Sequence, residues 1–350
     1  MTKNILFIAS AASIHSLKWI NYFSENTDHN IHWAFVSSMK YKIDKNIKII
    51  NIKKNWILNS IKLIFKLKKT KDLIVHLHYV GKHSLFLIFL NRDAKLITNT
   101  WGSDLIFNKY NFLRRIWLGF IISRSNIVIS DAYHHYEFLK KYNLQKEKFK
   151  YVPYGTDTDK FKPINSSFSR DDIQIINTRG FDEVYDAKTL ILAANIVLRE
   201  YPNIIFKFAG KGSQEIYLKN LVKKLQIQKN VIFLGFISQK ELFSELNRSD
   251  IYVSCSLRDG GLAGSTSEAM SCERISVISD NSDNNKWIID NDNGFLFQNS
   301  NFEELAQKII WILKNKEECI EKSKKARDTI VERNCYFKQM NKVNKIYELI

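Results

Sequence analysis

The chain has 350 residues, 45% of them hydrophobic and 25% charged, which excludes a disordered or collagen-like protein. At ~150 residues per domain the length predicts two domains, and the longest purely apolar run, residues 85–90, is too short to span a membrane as a helix. The net charge of +17 is concentrated in residues 1–160, which hold 26 lysines and arginines against 11 acidic residues, so an anionic partner is expected there.

Short β-branched segments alternate with helical stretches of about 10 to 17 residues, a pattern typical of βαβ units and parallel sheets. The first half contains six predicted strands, at 5–9, 31–36, 73–77, 95–99, 126–129 and 149–152. The second half contains six more, at 173–177, 204–209, 231–234, 250–254, 276–279 and 294–297. A stretch with Pro163 and several Ser and Asn residues separates the two series, and residues 301–350 read as helical throughout. The sequence therefore predicts two doubly wound α/β domains with a helical tail.

Ligands of such sheets bind beyond the carboxyl ends of the strands, so the loops there are the candidate sites. The strand at 173–177 is followed by Arg179, and the strand at 250–254 by a glycine-rich loop that opens a helix carrying Glu268. A helix N-terminus offers free N–H groups to a diphosphate, and Arg179 can neutralise phosphate charge bidentately. Glu268 suits the vicinal hydroxyls of a ribose; its alternative role is to compensate the helix dipole. The Gly210-Lys211-Gly212 turn is either part of this site or an ordinary strand-to-helix turn.

Metal and nucleotide motifs of other enzyme classes are absent from the sequence. It has no His-x-x-x-His, no Cys-x-x-Cys, no Walker lysine loop and no Gly-x-Gly-x-x-Gly after the first strand. These absences argue against a P-loop NTPase and weaken a dehydrogenase interpretation. No metal and no cofactor is therefore expected.

Taken in order, the segments resemble the GT-B glycosyltransferases of family 4, a retaining group that uses nucleotide sugars. The segments that carry the resemblance in the second half are VPYGTDTDKFKP (152–163), INTRGF (176–181), FAGKGSQE (208–215), NVIFLGFISQKEL (230–242), SLRDGGLAGSTSEAMSCERISVISDN (256–281) and WIIDNDNGFLF (287–297). In the first half, SIHSLKW (13–19), HLHY (76–79) and WGSD (101–104) are similar to members that act in bacterial surface-polysaccharide assembly.

The resemblance implies two Rossmann-like domains facing a central cleft. Residues 1–162 would bind the acceptor and residues 163–332 the nucleotide-sugar donor. Residues 333–350 would form a helix that crosses back and packs on the first domain; the spacing of Phe337, Met340, Val343, Ile346, Tyr347 and Ile350 predicts the apolar stripe for this packing.

The donor site implied by the resemblance departs from the family pattern in two places. Glu268 matches the second glutamate of the Glu-x7-Glu motif, which holds the ribose, but the first glutamate is missing. Asp259 lies nine positions before Glu268 instead of eight, so either Asp259 or the backbone of the glycine loop would contact the sugar. Arg179 is present, whereas Tyr185-Asp186 replaces the usual Lys-Gly, leaving Lys188 or Lys211 as the second cation. The predicted donor-binding residues are Arg179, Lys188, Lys211, Gly212, Asp259, Gly261, Leu262, Ala263, Gly264, Ser267 and Glu268.

The implied mechanism is retaining transfer without a metal, in which Arg179 and the helix dipole stabilise the leaving diphosphate. The predicted catalytic residues are Asp104, His78 and Arg179, and the predicted acceptor-side residues are His15, Trp101, Gly102 and Ser103. For Asp104 the alternative is a helix cap, and for either histidine it is a packed ring.

The function implied is that of a hexosyltransferase. It would move a sugar from a UDP- or GDP-linked donor to a glycan or polyprenyl-linked acceptor during assembly of lipopolysaccharide O-antigen, capsule or a similar polysaccharide. Two alternatives remain, a nucleotide-sugar epimerase on the same fold and a non-catalytic basic protein that binds membranes or nucleic acid. Nucleic acid is the less favoured partner because no helix-turn-helix, zinc finger or RNP-type aromatic platform is present.

The predicted location is the cytoplasm, at the inner face of the membrane. The first ten residues, MTKNILFIAS, predict a strand rather than a signal peptide, and four cysteines without paired or metal-ligand spacing fit a reducing compartment. Residues 56–69, WILNSIKLIFKLKK, predict a basic amphipathic helix with Lys62, Lys66 and Lys69 opposite its apolar arc, suited to an anionic membrane. The alternative is a helix that covers the sheet.

Overall fold

The computed structural model describes residues 2–35, 43–51, 72–89, 94–105, 111–170 and 172–350. They form two compact units, called unit 1 (residues 1–154 with 338–350) and unit 2 (residues 155–337). The segment 56–69 and the neighbouring Lys53 and Lys54 lie outside the described residues. Within the described ranges, none of the helices has the length and hydrophobicity that crossing a bilayer requires.

The described part of unit 1 is built on a parallel sheet with the strand order β3-β2-β1-β4-β5-β6-β7. The strands are β1 (Asn4–Ile8), β2 (Asn30–Phe35), β3 (Lys48–Asn51), β4 (Leu73–His78), β5 (Lys95–Thr100), β6 (Ile127–Ser130) and β7 (Phe149–Tyr151). Its helices include α1 (Ile14–Asn26), α2 (Phe112–Arg124) and α3 (His134–Leu139), and two of its short 3-10 helices are Lys82–Phe89 and Lys140–Tyr142. The chain reverses its direction across the sheet between β1 and β4, so the loops after these strands define the topological switch point.

Unit 2 contains a second parallel sheet, with the order β10-β9-β8-β11-β12-β13. Its strands are β8 (Gln174–Asn177), β9 (Ile205–Ala209), β10 (Val231–Gly235), β11 (Ile251–Ser254), β12 (Ile275–Ser279) and β13 (Phe295–Phe297). Its helices are α4 (Ala187–Glu200), α5 (Glu215–Lys224), α6 (Gln239–Arg248), α7 (Gly264–Ser271), α8 (Phe302–Lys314) and α9 (Lys316–Arg333). Here the switch point lies between β8 and β11.

The central strands are buried throughout and mostly apolar because both faces of each sheet are covered. All six residues of β4 are buried, and so are all five of β12. A parallel sheet covered on both faces selects such runs instead of alternating patterns. The twelve predicted strands are all present, and both domains have the predicted parallel α/β architecture.

One strand was missed by the sequence analysis. β3 is only four residues long and pairs in parallel with β2 at the edge of the sheet, with Lys48 opposite His32. Short, polar-ended edge strands carry little of the apolar pattern on which strand prediction depends.

The last helix, α10 (Tyr336–Leu349), returns to the first sheet as the fold class predicted. Met340, Val343 and Tyr347 on its inner face are fully buried. The Tyr347 hydroxyl lies 2.6 Å from His76 Nδ1 of β4, and the Tyr22 hydroxyl of α1 donates to Asn341 Oδ1 at 2.8 Å. Ring contacts of Tyr347 with Phe23 and His76, together with these hydrogen bonds, thus attach this helix to unit 1.

The division between the units falls earlier in the chain than the predicted boundary at residue 162. Residues 155–162 belong to unit 2 because they form hydrogen bonds with residues of that unit. Thr156 N–H donates to the Asn334 carbonyl at 2.7 Å, and the Ser271 hydroxyl donates to the Phe161 carbonyl at 2.5 Å. The return to unit 1 occurs at Lys338.

Candidate functional site

The switch point of unit 2 brings together the loops that follow β8 and β11. Arg179 lies two residues beyond β8, and residues 255–263 connect β11 to α7. The two strands are neighbours in the sheet and pair through Ile175 and Ile176, so their carboxyl ends are adjacent. In an open parallel sheet this is the position at which ligands bind.

The side chain of Arg179 is held in place by four groups. Its guanidinium donates to the Ser256 hydroxyl at 3.1 Å, the Ser265 hydroxyl at 3.4 Å and Asp259 Oδ1 at 2.6 Å. The guanidinium carbon also lies 4.7 Å from the centroid of the Tyr185 ring, a cation–π distance. A cation is therefore fixed beside the first turn of α7, since Ser265 is the second residue of that helix.

Asp259 neutralises Arg179 inside the folded unit. Its side chain is only 5% exposed, and burial raises the pKa of Asp259 while the guanidinium opposes part of that rise. The backbone of the loop is fixed as well, because Asp259 N–H donates to Asn281 Oδ1 at 2.9 Å and the Ser282 hydroxyl donates to the Asp259 carbonyl. The contact that the structure gives Asp259 is thus the arginine, where the sequence had suggested the donor sugar.

The beginning of α7 is open. A Cβ placed on Gly264 would meet no atom within 4 Å, Leu262 and Ala263 before it are half-buried, and Gly261 is buried. The first N–H groups of a helix lack partners within the helix and suit an anion. Glu268, partly exposed, lies one turn further along α7.

The position of Ser267 does not support the donor contact predicted for it. Ser267 is fully buried, and its hydroxyl lies 2.5 Å from the Thr156 hydroxyl and accepts from Asn334 Nδ2 at 2.8 Å. Both partners lie on segments that are far away in sequence. The residue therefore anchors α7 within unit 2.

The Gly210-Lys211-Gly212 turn has a structural role in the described geometry. A Cβ on Gly210 would lie 2.6 Å from the Arg179 carbonyl, and one on Gly212 would collide with the backbone of Phe181. The Phe181 N–H donates to the Lys211 carbonyl at 3.0 Å. The two glycines thus allow the β9 loop to pack on the loop that carries Arg179, while the Lys211 and Lys188 side chains are exposed.

The switch point of unit 1 carries a cluster of rings. The centroid of His15, at the start of α1, lies 5.8 Å from that of Trp101 and 4.7 Å from that of Tyr154, and the latter two are 5.4 Å apart. Gly102 follows at a φ of +80°, which favours glycine, and Ser103 is exposed. The structure thus brings His15 and Trp101 together at this edge, and adds Tyr154, which the sequence analysis missed.

The Asp104 carboxylate joins two loops through hydrogen bonds from backbone N–H groups. Its carboxylate accepts from the N–H groups of Trp101 at 3.0 Å, Leu105 at 3.1 Å and Val80 at 3.0 Å, and the residue is 1% exposed. Burial raises the pKa of Asp104 to about 6 in spite of these bonds. The geometry favours the capping role over direct contact with a substrate, because the carboxylate already joins the loops after β4 and β5.

His78 is a packed ring and not an accessible acid or base. It is 1% exposed, and its ring centroid lies 5.3 Å from those of Phe7 and Trp19 and 4.5 Å from that of His76. Burial, with smaller effects of the neighbouring histidines, lowers the pKa of His78 well below its usual value. The catalytic role predicted for His78 is therefore not supported by its position.

The residues that fix Arg179 were also missed, apart from Asp259. Ser256, Ser265 and Tyr185 all lie within segments already singled out, but only the folded loops reveal that they contact the guanidinium.

In the part of the chain that the structure describes, no group of three or more His, Cys, Asp or Glu residues could hold a metal ion.

Two Rossmann-like units, one with an arginine and an open helix N-terminus at its switch point, are features of the GT-B fold, which many glycosyltransferases adopt. The structure of HepE from Anabaena, solved in complex with UDP and glucose, matches with a TM-score of 0.79 at 14% identity over 100% of both chains. The family described as "Glycosyl transferases group 1" matches residues 158–329, and the one described as "Glycosyl transferase 4-like" matches residues 4–132. Both matching families consist of glycosyltransferases, and the first match lies in unit 2 while the second lies in unit 1.

Two curated relatives match part of the chain. The putative glycosyltransferase EpsD of Bacillus subtilis is 26% identical over 185 residues, which cover 50% of this chain and 48% of EpsD. The poly(ribitol-phosphate) alpha-N-acetylglucosaminyltransferase of Staphylococcus aureus is 30% identical over 146 residues, 41% of this chain and 29% of that enzyme. The chain thus spans about half the length of the first of these relatives and less than a third of the second.

Proposed function

We propose that the protein transfers a sugar from a nucleoside-diphosphate sugar to a glycan or polyprenyl-linked glycan in surface-polysaccharide assembly, with retention and without a metal. The observation that carries this proposal is the immobilised guanidinium of Arg179 beside the open first turn of α7. Both groups bind anions, which supports a diphosphate as the ligand.

Donor binding exchanges one partner of Arg179 for another. The diphosphate competes with Asp259 for the guanidinium and accepts from the first N–H groups of α7, while Glu268 binds the ribose hydroxyls. The exposed Lys188 and Lys211 supply further positive charge. As the glycosidic bond breaks, charge accumulates on the diphosphate, and groups already fixed around it stabilise that charge without reorganisation.

Retention follows if the acceptor hydroxyl attacks from the face that the diphosphate leaves. An oxygen of the departing diphosphate then takes the hydroxyl proton, and the enzyme itself needs no base. The burial of His78 and the three backbone bonds of Asp104 support this route, because neither residue is available for proton transfer.

The acceptor is proposed to be anionic or attached to an anionic membrane. Residues 1–160 carry most of the net charge, and the S. aureus relative is named for a phosphate-rich acceptor polymer. A location at the cytoplasmic face of the membrane fits such an acceptor. UDP is the first nucleotide to test, since HepE was solved with it.

The test is incubation of the protein with UDP- and GDP-sugars, with and without polyprenyl-diphosphate glycans, in EDTA. Transfer that requires the acceptor and yields a product with the donor's anomeric configuration is expected. Conversion of the donor into an epimer without any acceptor would establish the epimerase alternative. If no nucleotide binds at all, the non-catalytic alternative takes its place.

A further inference from the structure

The helix α2 of unit 1 is apolar on two faces. Leu118, Ile121 and Ile122 face the core and are at most 1% exposed. On the other side, four large apolar side chains are exposed to solvent, by 73%, 74%, 56% and 43% for Phe112, Leu113, Ile116 and Phe120 respectively. A surface helix normally has one apolar face, so a contiguous exposed ridge points to an interaction surface.

These four exposed side chains, called the ridge, are positioned by the helix α2 that carries them. Residues 112, 116 and 120 follow one another at intervals of four, which aligns them along the helix axis. The Asn111 side chain accepts from Arg114 N–H and caps the first turn. Trp117 stacks on Phe120 at 5.2 Å and donates from its indole nitrogen to the Ser84 hydroxyl at 2.7 Å. The exposed rings are therefore presented by an ordered element of the fold.

Basic side chains lie on this helix and on a neighbouring turn. Arg114 and Arg115 are exposed on the helix itself. The 3-10 turn Lys140–Tyr142 packs beside it, with Lys141 exposed and Lys140 exposed but paired with Glu137 at 3.1 Å. Residues 111–150 contain eight lysines and arginines against three acidic residues. Apolar side chains flanked by cations match the boundary of an anionic bilayer, where acyl chains lie beneath phosphates.

We infer that α2 docks the protein on anionic membranes, with the ridge in the acyl–headgroup boundary and the basic residues on lipid phosphates. A second copy of the chain is a less suitable partner for the ridge, because two surfaces of the same positive charge repel each other. The biological role of this docking rests on the proposed function, since docking on a membrane would bring the enzyme to a lipid-linked acceptor.

The experiment is sedimentation of the full-length protein with phosphatidylcholine vesicles and with vesicles containing 30% phosphatidylglycerol. The wild type should bind the anionic vesicles, and less so as salt rises, because screening weakens the cationic contacts. The triple variant Phe112→Ser/Leu113→Ser/Ile116→Ser should bind at least ~10-fold more weakly, since burial of even one large apolar side chain is worth about that factor. Arg114→Glu/Arg115→Glu should lose most of the dependence on salt.

A matched control tests whether exposed apolar residues in general have this effect. Ile164 and Ile289 of unit 2 are 63% and 60% exposed, and Ile164→Ser/Ile289→Ser should bind vesicles as the wild type does. Binding of UDP, measured on every variant, reports the fold and the donor site separately from docking. Equal vesicle binding by the triple variant and the wild type overturns the inference. So does a wild type that dimerises through the ridge, as seen by ultracentrifugation, and ignores anionic vesicles.

Discussion

Removal of the Arg179 side chain should affect both stability and donor binding, and the two effects can be separated. In Arg179→Ala, Asp259 stays buried at 5% exposure without the cation that lies 2.6 Å away. Breaking a buried pair by removal of one partner typically costs about 3–5 kcal/mol. At about 2–4 °C per kcal/mol for a unit of this size, the melting temperature of unit 2 should fall by roughly 6–20 °C.

The double variant Arg179→Ala/Asp259→Asn removes the uncompensated charge. Most of the lost stability should return, because the neutral amide no longer needs a counter-ion. Nucleotide binding should not return. A charge-assisted hydrogen bond contributes about 1.5–3 kcal/mol, which corresponds to roughly 10- to 150-fold weaker binding of UDP.

Calorimetric melting and isothermal titration with UDP measure the two quantities on the same samples. Asp259→Asn alone serves as the control and should bind UDP at least as tightly as the wild type, because the diphosphate then has no carboxylate to displace. If the double variant binds UDP with wild-type affinity, Arg179 is not a diphosphate ligand. If Arg179→Ala melts at the wild-type temperature, the ion pair does not contribute as the structure implies.

Three further predictions concern other parts of the molecule. Glu268→Gln should weaken the binding of UDP by about 10-fold or more, because the lost hydrogen bonds go to the ribose hydroxyls. The variant should then bind UDP and its deoxyribose analogue with equally low affinity. A variant that still prefers UDP to the deoxyribose analogue as strongly as the wild type does would contradict this. Tyr347→Phe removes the bond to His76 and should lower the melting temperature of unit 1 by roughly 2–10 °C without changing the affinity for UDP. Burial raises the pKa of Asp104 to about 6, above its unfolded value of about 3.9, so the folded state binds this proton more tightly. The contribution of Asp104 to the free energy of unfolding should therefore be most favourable below pH 4 and be lost as the pH rises through 6. Melting temperatures of the wild type and of Asp104→Asn, measured from pH 4 to pH 8, test this. The melting temperature of the wild type should fall relative to that of the variant as the pH rises.

The architecture was predictable because its strands are buried on both faces. Continuous apolar runs separated by helical patterns specify parallel sheets locally, without knowledge of distant contacts. The exception, β3, is short and lies at an edge, where burial imposes little on the sequence. The division between the units was displaced because it depends on the bonds of Thr156 and Phe161 to residues more than a hundred positions away.

The loops at the switch point of unit 2 were predictable for the same local reason. A glycine-rich segment between a strand and a helix specifies an open helix N-terminus, and Arg179 lies two residues beyond its strand. Partners set by tertiary packing were not predictable. Ser267 meets Thr156 across 111 positions, and burial of His78 depends on rings from other elements of unit 1. A polar residue beside a binding loop looks the same in sequence whether it faces a ligand or the core.

The return of α10 to the first sheet has a consequence for how the chain folds during synthesis. His76 and Tyr347 are 271 positions apart, and all of unit 2 is made between them. Until the ribosome has released residues 338–350, the side of β4 and α1 that α10 covers has no helix over it, whereas unit 2 already has its whole sequence. Domains generally fold as units as they emerge, and contacts over long separations form slowly. Most of unit 1 is thus synthesised before unit 2, but its core is completed only after unit 2 has been made. Unit 2 can therefore fold while the first sheet still lacks this helix.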